Sequence, residues 1–366
     1  MAKNGKKRIG VLTGGGDCPG LNAVIRGVAK ASMSRYDMEV IGIEDGYEGL
    51  IERRVVKLDW LKVSGILTQG GTILGTSNRA NPFRWPVGKK GDEIEFADVS
   101  DQVVDYVEEL GLDSLVCIGG DGTMAIATKL SQKGVRIVGV PKTIDNDIWG
   151  TDITFGFDSA LQTATEAIDK IHTTAMSHHR VMIVEVMGRY AGWLALESGI
   201  AGGGDVILIP EIPYDIEKIC NVVAERSKKG RRFSIIVVSE GAKPEGGDIV
   251  VQRVVKDSTD PIRLGGIGNK IGQEIEERTG VETRVTVLGH LQRGGTPSAF
   301  DRILATRFGV KAAELCYNGV GGVMVAVRGG DIVTVPLSDV GGKMRLVDPN
   351  HPLVAVARGV GTCLGN

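Results

Sequence analysis

Residues 114–143, SLVCIGGDGTMAIATKLSQKGVRIVGVPKT, decide the fold, because two short apolar runs stand on either side of a glycine-rich turn and a helical pattern. Such a unit is typical of two parallel strands joined by a crossover helix. The same alternation continues outward, from RIGVLT at residues 8–13 to ETRVTVLGH at residues 282–290. It predicts an α/β fold, in which mainly parallel sheets are covered by helices on both faces.

The composition is that of an ordinary globular chain. The 366 residues include 43 Lys and Arg against 45 Asp and Glu, which provides no general basic field for nucleic acid or a membrane. No run approaches the ~18 apolar residues of a membrane span, and the early stretch IGVLT is too short for a signal peptide. Five scattered cysteines without metal-like spacing indicate reduced, buried thiols. We therefore expect a cytoplasmic protein.

The length exceeds what one hydrophobic core usually supports, so two domains are expected. A long helical pattern from about residue 155 to residue 179 separates one strand-helix series from the next and marks the entry to the second domain. The polar segment 81–96 carries Pro and Gly and is predicted to be a surface excursion. The 53 glycines indicate many backbone positions with positive φ or close approach to a ligand.

The first glycine loop is TGGGDCPGLN at residues 13–22, between a predicted strand and a helix predicted to begin at Pro19. In open parallel sheets, ligands bind beyond the carboxyl ends of the strands. Backbone N–H groups around Gly16, just before a helix, can face an anion. This loop predicts a phosphate site, with a tight structural turn as the alternative.

The second glycine loop is IGGDGT at residues 118–123. Gly120 and Gly122 open the backbone to a ligand. Asp121 places a carboxylate where Mg²⁺ bound to phosphate oxygens would lie. A helix N-cap would explain Asp121 alone but not the surrounding glycines, so the loop predicts a nucleotide phosphate site.

The third loop is PKTIDND at residues 141–147, which also follows an apolar run. Asp145 and Asp147 stand two residues apart, so in an extended segment their side chains point the same way. One of them could hold a metal while the other takes a proton. Thr143 offers a hydrogen-bonding hydroxyl beside them.

Together with VMGRYAG at residues 186–192 and TVLGHLQRGG at residues 286–295, these loops resemble the 6-phosphofructokinase family, from about residue 8 to residue 310. The resemblance implies two Rossmann-like domains with the active site in the cleft between them. It implies a nucleotide domain of residues 1–156 and 292–342, and a sugar-phosphate domain of residues 157–291 and 343–366. It also implies a homodimer or homotetramer.

The implied activity is the Mg²⁺-dependent transfer of the γ-phosphoryl group of ATP to the 1-hydroxyl of fructose 6-phosphate, a step of glycolysis. Asp145 resembles the general base, Thr143 its neighbour, and Arg189 the arginine that steadies the transferring group; Asp121 and Asp147 resemble the groups that organise Mg²⁺. The residues matching donor contacts are Gly16, Arg79, Gly120, Asp121, Gly122, Thr123 and Lys142. The residues matching fructose 6-phosphate contacts are Thr143, Asp145, Arg180, Met187, Gly188, Arg189, Glu240, Arg284, His290 and Arg293.

Two positions of the family's pattern bear on the phosphoryl donor. Gly122 resembles ATP users, in which glycine leaves room for the α-phosphate, whereas pyrophosphate users carry Asp there. Lys142 resembles pyrophosphate users, although some ATP enzymes combine this lysine with the glycine. A carboxylate beside the α-phosphate would be a like-charge clash, while a lysine helps either donor, so Gly122 favours ATP. A pyrophosphate-dependent enzyme is the alternative.

Two further classes compete with a sugar-phosphate kinase. A dinucleotide-binding oxidoreductase would use similar strand-glycine-helix units, but GxGxxG is absent from the first loop. A regulatory subunit could keep the fold without catalysis. The presence of Asp121, Asp145 and Arg189 together argues against it, because a sensor needs no base.

Overall fold

The computed structural model describes residues 5–90, 93–254 and 262–366. The strands are β1 (Arg8–Thr13), β2 (Glu39–Ile43), β3 (Val55–Leu58), β4 (Trp85–Lys90), β5 (Glu93–Ala97), β6 (Ser114–Gly119), β7 (Ile137–Pro141), β8 (Val181–Val186), β9 (Val206–Leu208), β10 (Ser234–Ser239), β11 (Val251–Val254), β12 (Ile262–Leu264), β13 (Thr283–Val287), β14 (Val323–Arg328) and β15 (Asp331–Pro336). The helices are α1 (Leu21–Arg35), α2 (Tyr47–Ile51), α3 (Ser100–Glu109), α4 (Asp121–Gln132), α5 (Phe157–His178), α6 (Trp193–Ala201), α7 (Ile216–Lys228), α8 (Ile267–Thr279), α9 (Ala299–Tyr317) and α10 (Pro352–Gly359). Single 3₁₀ turns lie at Ile66–Thr68, Gly289–Arg293 and Leu337–Asp339.

The larger sheet has seven strands in the described part of the chain, in the order β15-β14-β7-β6-β1-β2-β3. The inner five run parallel, while β3 and β15 pair antiparallel at the two edges. Every residue of β6 and β7 is buried, as expected for parallel strands covered on both faces. The predicted α/β fold is confirmed.

The smaller sheet contains the parallel strands β13-β8-β10-β9. Helix α5, which lies between the two series of strands in the chain, begins at Phe157 and ends at His178, within two residues of the predicted pattern. Strands of the larger sheet come from residues 8–141 and 323–336, and those of the smaller sheet from residues 181–287. The domain limits given above stay a prediction.

Helix α1 begins two residues later than predicted. Pro19 is followed by Gly20, which has φ of 104° and lies before the helix. The helix begins at Leu21. A β carbon at residue 20 would lie 2.8 Å from the Phe155 ring, so both the conformation and the space require glycine here. The first glycine loop therefore extends to residue 20.

Residues 91 and 92 of the segment 81–96 lie outside the described residues; the rest of the segment lies mostly on the surface as predicted, but it is more regular than expected. Strands β4 and β5 form an antiparallel hairpin with an irregular register between Pro86 and Gly88. The Arg84 guanidinium lies 3.7 Å from the centre of the Phe96 ring and covers one face of the hairpin. This cation–π contact adds order that the polar composition did not predict.

The cysteines are free thiols, and Cys18, Cys117, Cys220 and Cys316 are buried. Burial raises the pKa of Cys18 to about 12, although it lies close to a helix N-terminus. Cys18 is thus an unreactive packing residue, as the sequence favoured. Across the described ranges, none of the helices is both long and apolar enough to cross a membrane.

Candidate active site

The three predicted loops meet at the carboxyl edge of the larger sheet, where β1, β6 and β7 end. The Gly14 N–H donates to the Ile118 carbonyl at 2.9 Å, and the Lys142 N–H donates to the Gly119 carbonyl at 3.0 Å. A β carbon on Gly14 would lie 2.7 Å from Oγ1 of Thr123, so the second loop packs against the first. Neighbouring parallel strands therefore bring all three loops side by side.

Two cations flank the first loop, one from each half of the molecule. Lys142 is 4% exposed, its Nζ donates to the Gly16 carbonyl, and burial lowers the pKa of its ammonium group. Arg293 approaches the same glycine from the turn after β13, because a β carbon on Gly16 would lie 2.8 Å from its Nη1. That nitrogen donates to the Asp17 carbonyl at 3.0 Å. The buried Lys142 side chain thus stabilises the first loop through its hydrogen bond to Gly16.

The second loop lies at the N-terminus of α4, where backbone N–H groups and the helix dipole favour an anion. Gly122 is exposed, and a β carbon there would meet no atom of the described residues within 4 Å. Oδ1 of Asp121 accepts a hydrogen bond from the Gly342 N–H at 3.0 Å, and burial raises the pKa of this carboxyl group. The loop therefore offers open space beside a fixed carboxylate.

The third loop is held in a tight turn by its neighbours. Asn146 adopts a left-handed conformation with φ of 53°, and its Oδ1 accepts a hydrogen bond from the Thr154 N–H at 3.0 Å. Oγ1 of Thr143 accepts the Asp145 N–H at 3.1 Å, while Oγ1 of Thr154 donates to the Thr143 carbonyl at 2.8 Å. These contacts fix the backbone that carries the two aspartates.

Asp145 combines burial with positive neighbours. Burial raises the pKa of its carboxyl group, against the opposing charges of Arg293, Lys142 and Arg189. Its Oδ1 is buried, and the described residues offer that atom no hydrogen-bond partner. Burial and the charge of Asp145 raise the pKa of Asp147 to about 7. A buried carboxylate with an unused oxygen and nearby cations is suited to accept a proton from a ligand.

Asp121 and Asp147 suit a metal ion whose remaining ligands come from a bound substrate. The charge of Asp121 contributes to the raised pKa of Asp147, so both carboxylates act on one region. Within the described ranges, no three His, Cys, Asp or Glu side chains group closely enough to hold a metal by themselves. Mg²⁺ usually takes one or two carboxylates together with substrate phosphates and waters. The donor set therefore suits Mg²⁺ that arrives with a polyphosphate.

The carboxyl edge of the smaller sheet supplies the opposite wall. Met187, Gly188 and Arg189 follow β8, Glu240 follows β10, and His290 and Arg293 lie in the 3₁₀ turn after β13. The Glu240 N–H donates to the Val186 carbonyl at 2.9 Å, which ties two of these strand ends together. Burial and the charge of Asp145 raise the pKa of Glu240 to about 7. Glu240 therefore faces the pocket that contains Asp145.

Arg180 and Arg284 lie elsewhere. Arg180 directly precedes β8 and Arg284 is the second residue of β13, so both stand at the amino edge of the smaller sheet. The length of a six-residue strand, roughly 20 Å, separates this edge from Met187. Both arginines form ion pairs with Glu282, with 2.6 Å between Arg180 Nε and a carboxylate oxygen. Within one chain, the structure does not bring them to Asp145.

Arg79 connects to the first loop through the backbone. The Ser77 carbonyl, two residues earlier, accepts the Gly15 N–H at 3.0 Å. Arg79 is exposed and lines a cavity of about 570 Å³ beside hairpin β4–β5, with Trp85 and Phe96 among the other lining residues. The described residues that line this cavity include none from the three glycine-rich and acidic loops, so Arg79 connects to the site through the backbone of Ser77.

Sequence reasoning missed Arg345, in the segment GGKMRLVDPN at residues 341–350. Its backbone N–H donates to the Asp147 carbonyl at 2.8 Å, and its Nη1 donates to the Asn146 carbonyl at 3.1 Å. The segment is neither a glycine loop before a helix nor the end of an apolar run. No local pattern therefore marks it as a neighbour of the third loop.

Comparisons with known proteins identify a family and several relatives of this chain. The family described as "Phosphofructokinase" matches residues 8–316. The "ATP-dependent 6-phosphofructokinase 2" of Clostridium perfringens is 55% identical over 356 residues, which cover 97% of each chain. The "Pyrophosphate--fructose 6-phosphate 1-phosphotransferase" of Streptomyces coelicolor is 51% identical over 343 residues, covering 93% of this chain and 96% of the relative.

A solved structure also matches the fold. The T-state structure of Pichia pastoris phosphofructokinase superimposes with a TM-score of 0.78 at 35% identity and covers 92% of this chain. This chain spans about a third of the length of that yeast chain, 35%. The match therefore covers nearly all of the shorter protein and one part of the longer one.

Proposed function

The chain belongs to the phosphofructokinase family, and from that premise we propose that it transfers the γ-phosphoryl group of ATP to the 1-hydroxyl of fructose 6-phosphate with Mg²⁺. The observation that carries the proposal is the buried Oδ1 of Asp145, which has no hydrogen-bond partner among the described residues and lies beside three cationic residues and two phosphate-type glycine loops. Such a carboxylate can accept the sugar hydroxyl proton while the loops hold the phosphates. The product is fructose 1,6-bisphosphate, as in glycolysis.

The proposed role of each residue in the reaction follows from its position in the site. Asp145 takes the proton, and Thr143 fixes its backbone by accepting the Asp145 N–H. Arg189 stands where it can steady the charge of the transferring group, because planar guanidinium suits phosphate oxygens. Asp121 and Asp147 would hold Mg²⁺, which when bound neutralises charge on the donor phosphates.

ATP is the donor that the second loop supports. The open space at Gly122 admits an α-phosphate at the N-terminus of α4. Lys142 is engaged with the Gly16 carbonyl, so it acts as a support for the first loop whichever donor binds. The similarity to a pyrophosphate-dependent relative keeps pyrophosphate as the second candidate.

The sugar phosphate binds at the wall formed by Met187, Gly188, Glu240, His290 and Arg293. Arg180 and Arg284 lie at the opposite edge of their sheet, so they can reach a sugar phosphate only in the active site of another subunit. We therefore place them across a subunit contact of a homodimer or homotetramer. Free thiols at all five cysteines support a cytoplasmic location.

A coupled assay that measures fructose 1,6-bisphosphate tests the proposal. We expect turnover with fructose 6-phosphate, ATP and Mg²⁺, and at least tenfold lower kcat/KM when pyrophosphate replaces ATP. Removal of Mg²⁺ with a chelator should abolish turnover with either donor. Faster turnover with pyrophosphate would reverse the choice of donor, and no turnover with either would overturn the activity itself.

The pH dependence tests the base. Burial raises the pKa of Asp145, so a growing fraction of the free enzyme carries a protonated Asp145 as the pH falls. Protonated Asp145 cannot accept a proton, and we expect kcat/KM for fructose 6-phosphate to fall with the pH, with a midpoint above the ordinary carboxylate pKa of 3.8. A carboxylate with the ordinary pKa would leave the profile flat until the pH approaches 3.8.

The Glu240→Gln variant distinguishes titration of Asp145 from titration of the substrate phosphates. The charge of Asp145 raises the pKa of Glu240, and by reciprocity the charge of Glu240 raises the pKa of Asp145. The midpoint of the profile should therefore move to lower pH in the variant. A midpoint that stays in place would assign the titration to a substrate phosphate instead.

A further inference from the structure

Residues 342–347 form a strap that contacts the second and third loops of the larger sheet and reaches Glu211 of the smaller-sheet region. The Gly342 N–H is bonded to Asp121, and Met344 forms an antiparallel bridge with Ile148. Further on, the Val347 N–H donates to Oε1 of Glu211 at 2.8 Å. The strap therefore connects the second and third loops to the region of Glu211.

Arg345 is the residue of the strap that contacts both walls. Through its Nη1 and its backbone N–H it binds the carbonyls of Asn146 and Asp147, which belong to the two consecutive peptides after the left-handed Asn146. On the opposite side, its guanidinium lies 4.0 Å from the centre of the Trp193 ring. The Trp193 Nε1–H in turn donates to the Arg345 carbonyl at 2.8 Å.

Trp193 connects this contact to the smaller sheet. It is 2% exposed and is the first residue of α6, which begins directly after the loop that contains Arg189. Glu211, which binds the strap at Val347, also accepts the Gly192 N–H at 3.0 Å. The Arg189 loop is thus anchored at its end to the same strap that holds the Asp145 loop.

We propose that Arg345 is a positioning residue, which fixes the loop of Asp145 relative to the loop of Arg189. This inference rests on the proposed phosphoryl transfer for its kinetic consequence. The guanidinium is partly removed from water, and the carbonyl and the aromatic face replace some of that hydration. A lysine keeps the charge but not the planar group, so it can bind the carbonyl or cover the ring but not reproduce both contacts.

The test compares Arg345→Met and Arg345→Lys with the wild type, and uses Arg358→Met as a matched control. Arg358 is an exposed arginine of α10 whose Nη2 binds the side chain of Asn366. We expect kcat to fall about 10–100-fold in Arg345→Met, because small misplacement of reacting groups has large effects on rate. The Lys variant should be intermediate, and the control should match the wild type. KM for both substrates should change less than about threefold.

Hydrogen exchange of residues 143–155 provides a readout that does not depend on activity. We expect exchange at the Thr154 amide, which binds Asn146, to quicken at least about fivefold in Arg345→Met and to stay unchanged in Arg358→Met. If Arg345→Met does not fold, Trp193→Phe removes the bond to the Arg345 carbonyl and reduces the aromatic face that Arg345 covers, and it should produce the same changes in smaller size.

The outcomes are distinct. Unchanged kcat and unchanged exchange in Arg345→Met would overturn the inference. A fall in kcat together with an equal rise in both KM values and a lowered Tm would also overturn it, because these changes indicate a general structural role. A wild-type protein without turnover would overturn the proposed function. The exchange result would then still decide whether Arg345 holds the loop.

Discussion

In the Asp145→Ser variant, we expect kcat for phosphoryl transfer to fall about 10²–10⁴-fold, the range that follows the loss of a positioned base. Serine keeps a small polar side chain but cannot take the proton as a carboxylate does. KM for fructose 6-phosphate should change less than about threefold, because Arg189, Glu240 and Arg293 remain in place. Steady-state kinetics in the coupled assay, with both substrates varied, measures the two quantities.

The stability of this variant should not follow its activity. Burial raises the folded-state pKa of Asp145, so the ionised carboxylate destabilises the folded protein as the pH rises through that pKa. Its removal should therefore leave Tm at pH 8 unchanged or slightly raised. Asp169→Ser, at an exposed position of α5, is the control and should retain both kcat and Tm. A variant at residue 145 with most of its kcat would remove Asp145 from the role of base.

The fold and three catalytic loops could be predicted because their signals are local. A buried parallel strand is a short apolar run, and this remains true whatever lies elsewhere in the chain. Neighbouring parallel strands end at one edge, so Gly16, Asp121 and Asp145 were expected together before any contact was known. The resemblance to a family then assigned roles to them.

The contacts that complete the site depend on distant parts of the chain. Arg345 stands 199 positions beyond Asn146, and nothing in its own segment indicates that the two meet. The left-handed turn at Asn146 is set by the Thr154 N–H as well as by its own sequence. A periodicity of two or 3.6 residues carries no information about such partners.

Arg180 and Arg284 illustrate a second limit of sequence reasoning. The motif pattern groups them with Glu240 and Arg293, but their strands place them at the amino edge of the sheet. A sequence pattern records which residues serve one kind of site, and it does not say whether one chain or two supply them. The direction of β8 and β13 shows only that these arginines lie away from Asp145 within one chain.

In the Gly122→Asp variant, we expect kcat/KM for ATP to fall about 10²–10³-fold. Two like charges about 4 Å apart repel by ~4 kcal/mol at the effective dielectric of a protein surface, and each 1.4 kcal/mol is a factor of ten. Pyrophosphate has no third phosphate to meet the new carboxylate. Its kcat/KM should therefore fall far less, and the ratio of the two donors should move toward pyrophosphate.

The fold should accept this substitution. Within the part of the chain that the structure describes, a β carbon at residue 122 would meet no atom within 4 Å. Gly122 is exposed at the start of α4, where Asp is favourable for the helix dipole. A loss of ATP activity can then be assigned to the donor rather than to misfolding, which circular dichroism and Tm would check.

Gly122→Ala separates the charge of the new side chain from its bulk. Alanine adds the same β carbon without a carboxylate, so we expect its kcat/KM for ATP to stay within about threefold of the wild type. Equal losses in the Ala and Asp variants would mean that space alone matters at residue 122. Unchanged ATP activity in Gly122→Asp would place the α-phosphate elsewhere, and the choice between donors would then depend on Lys142.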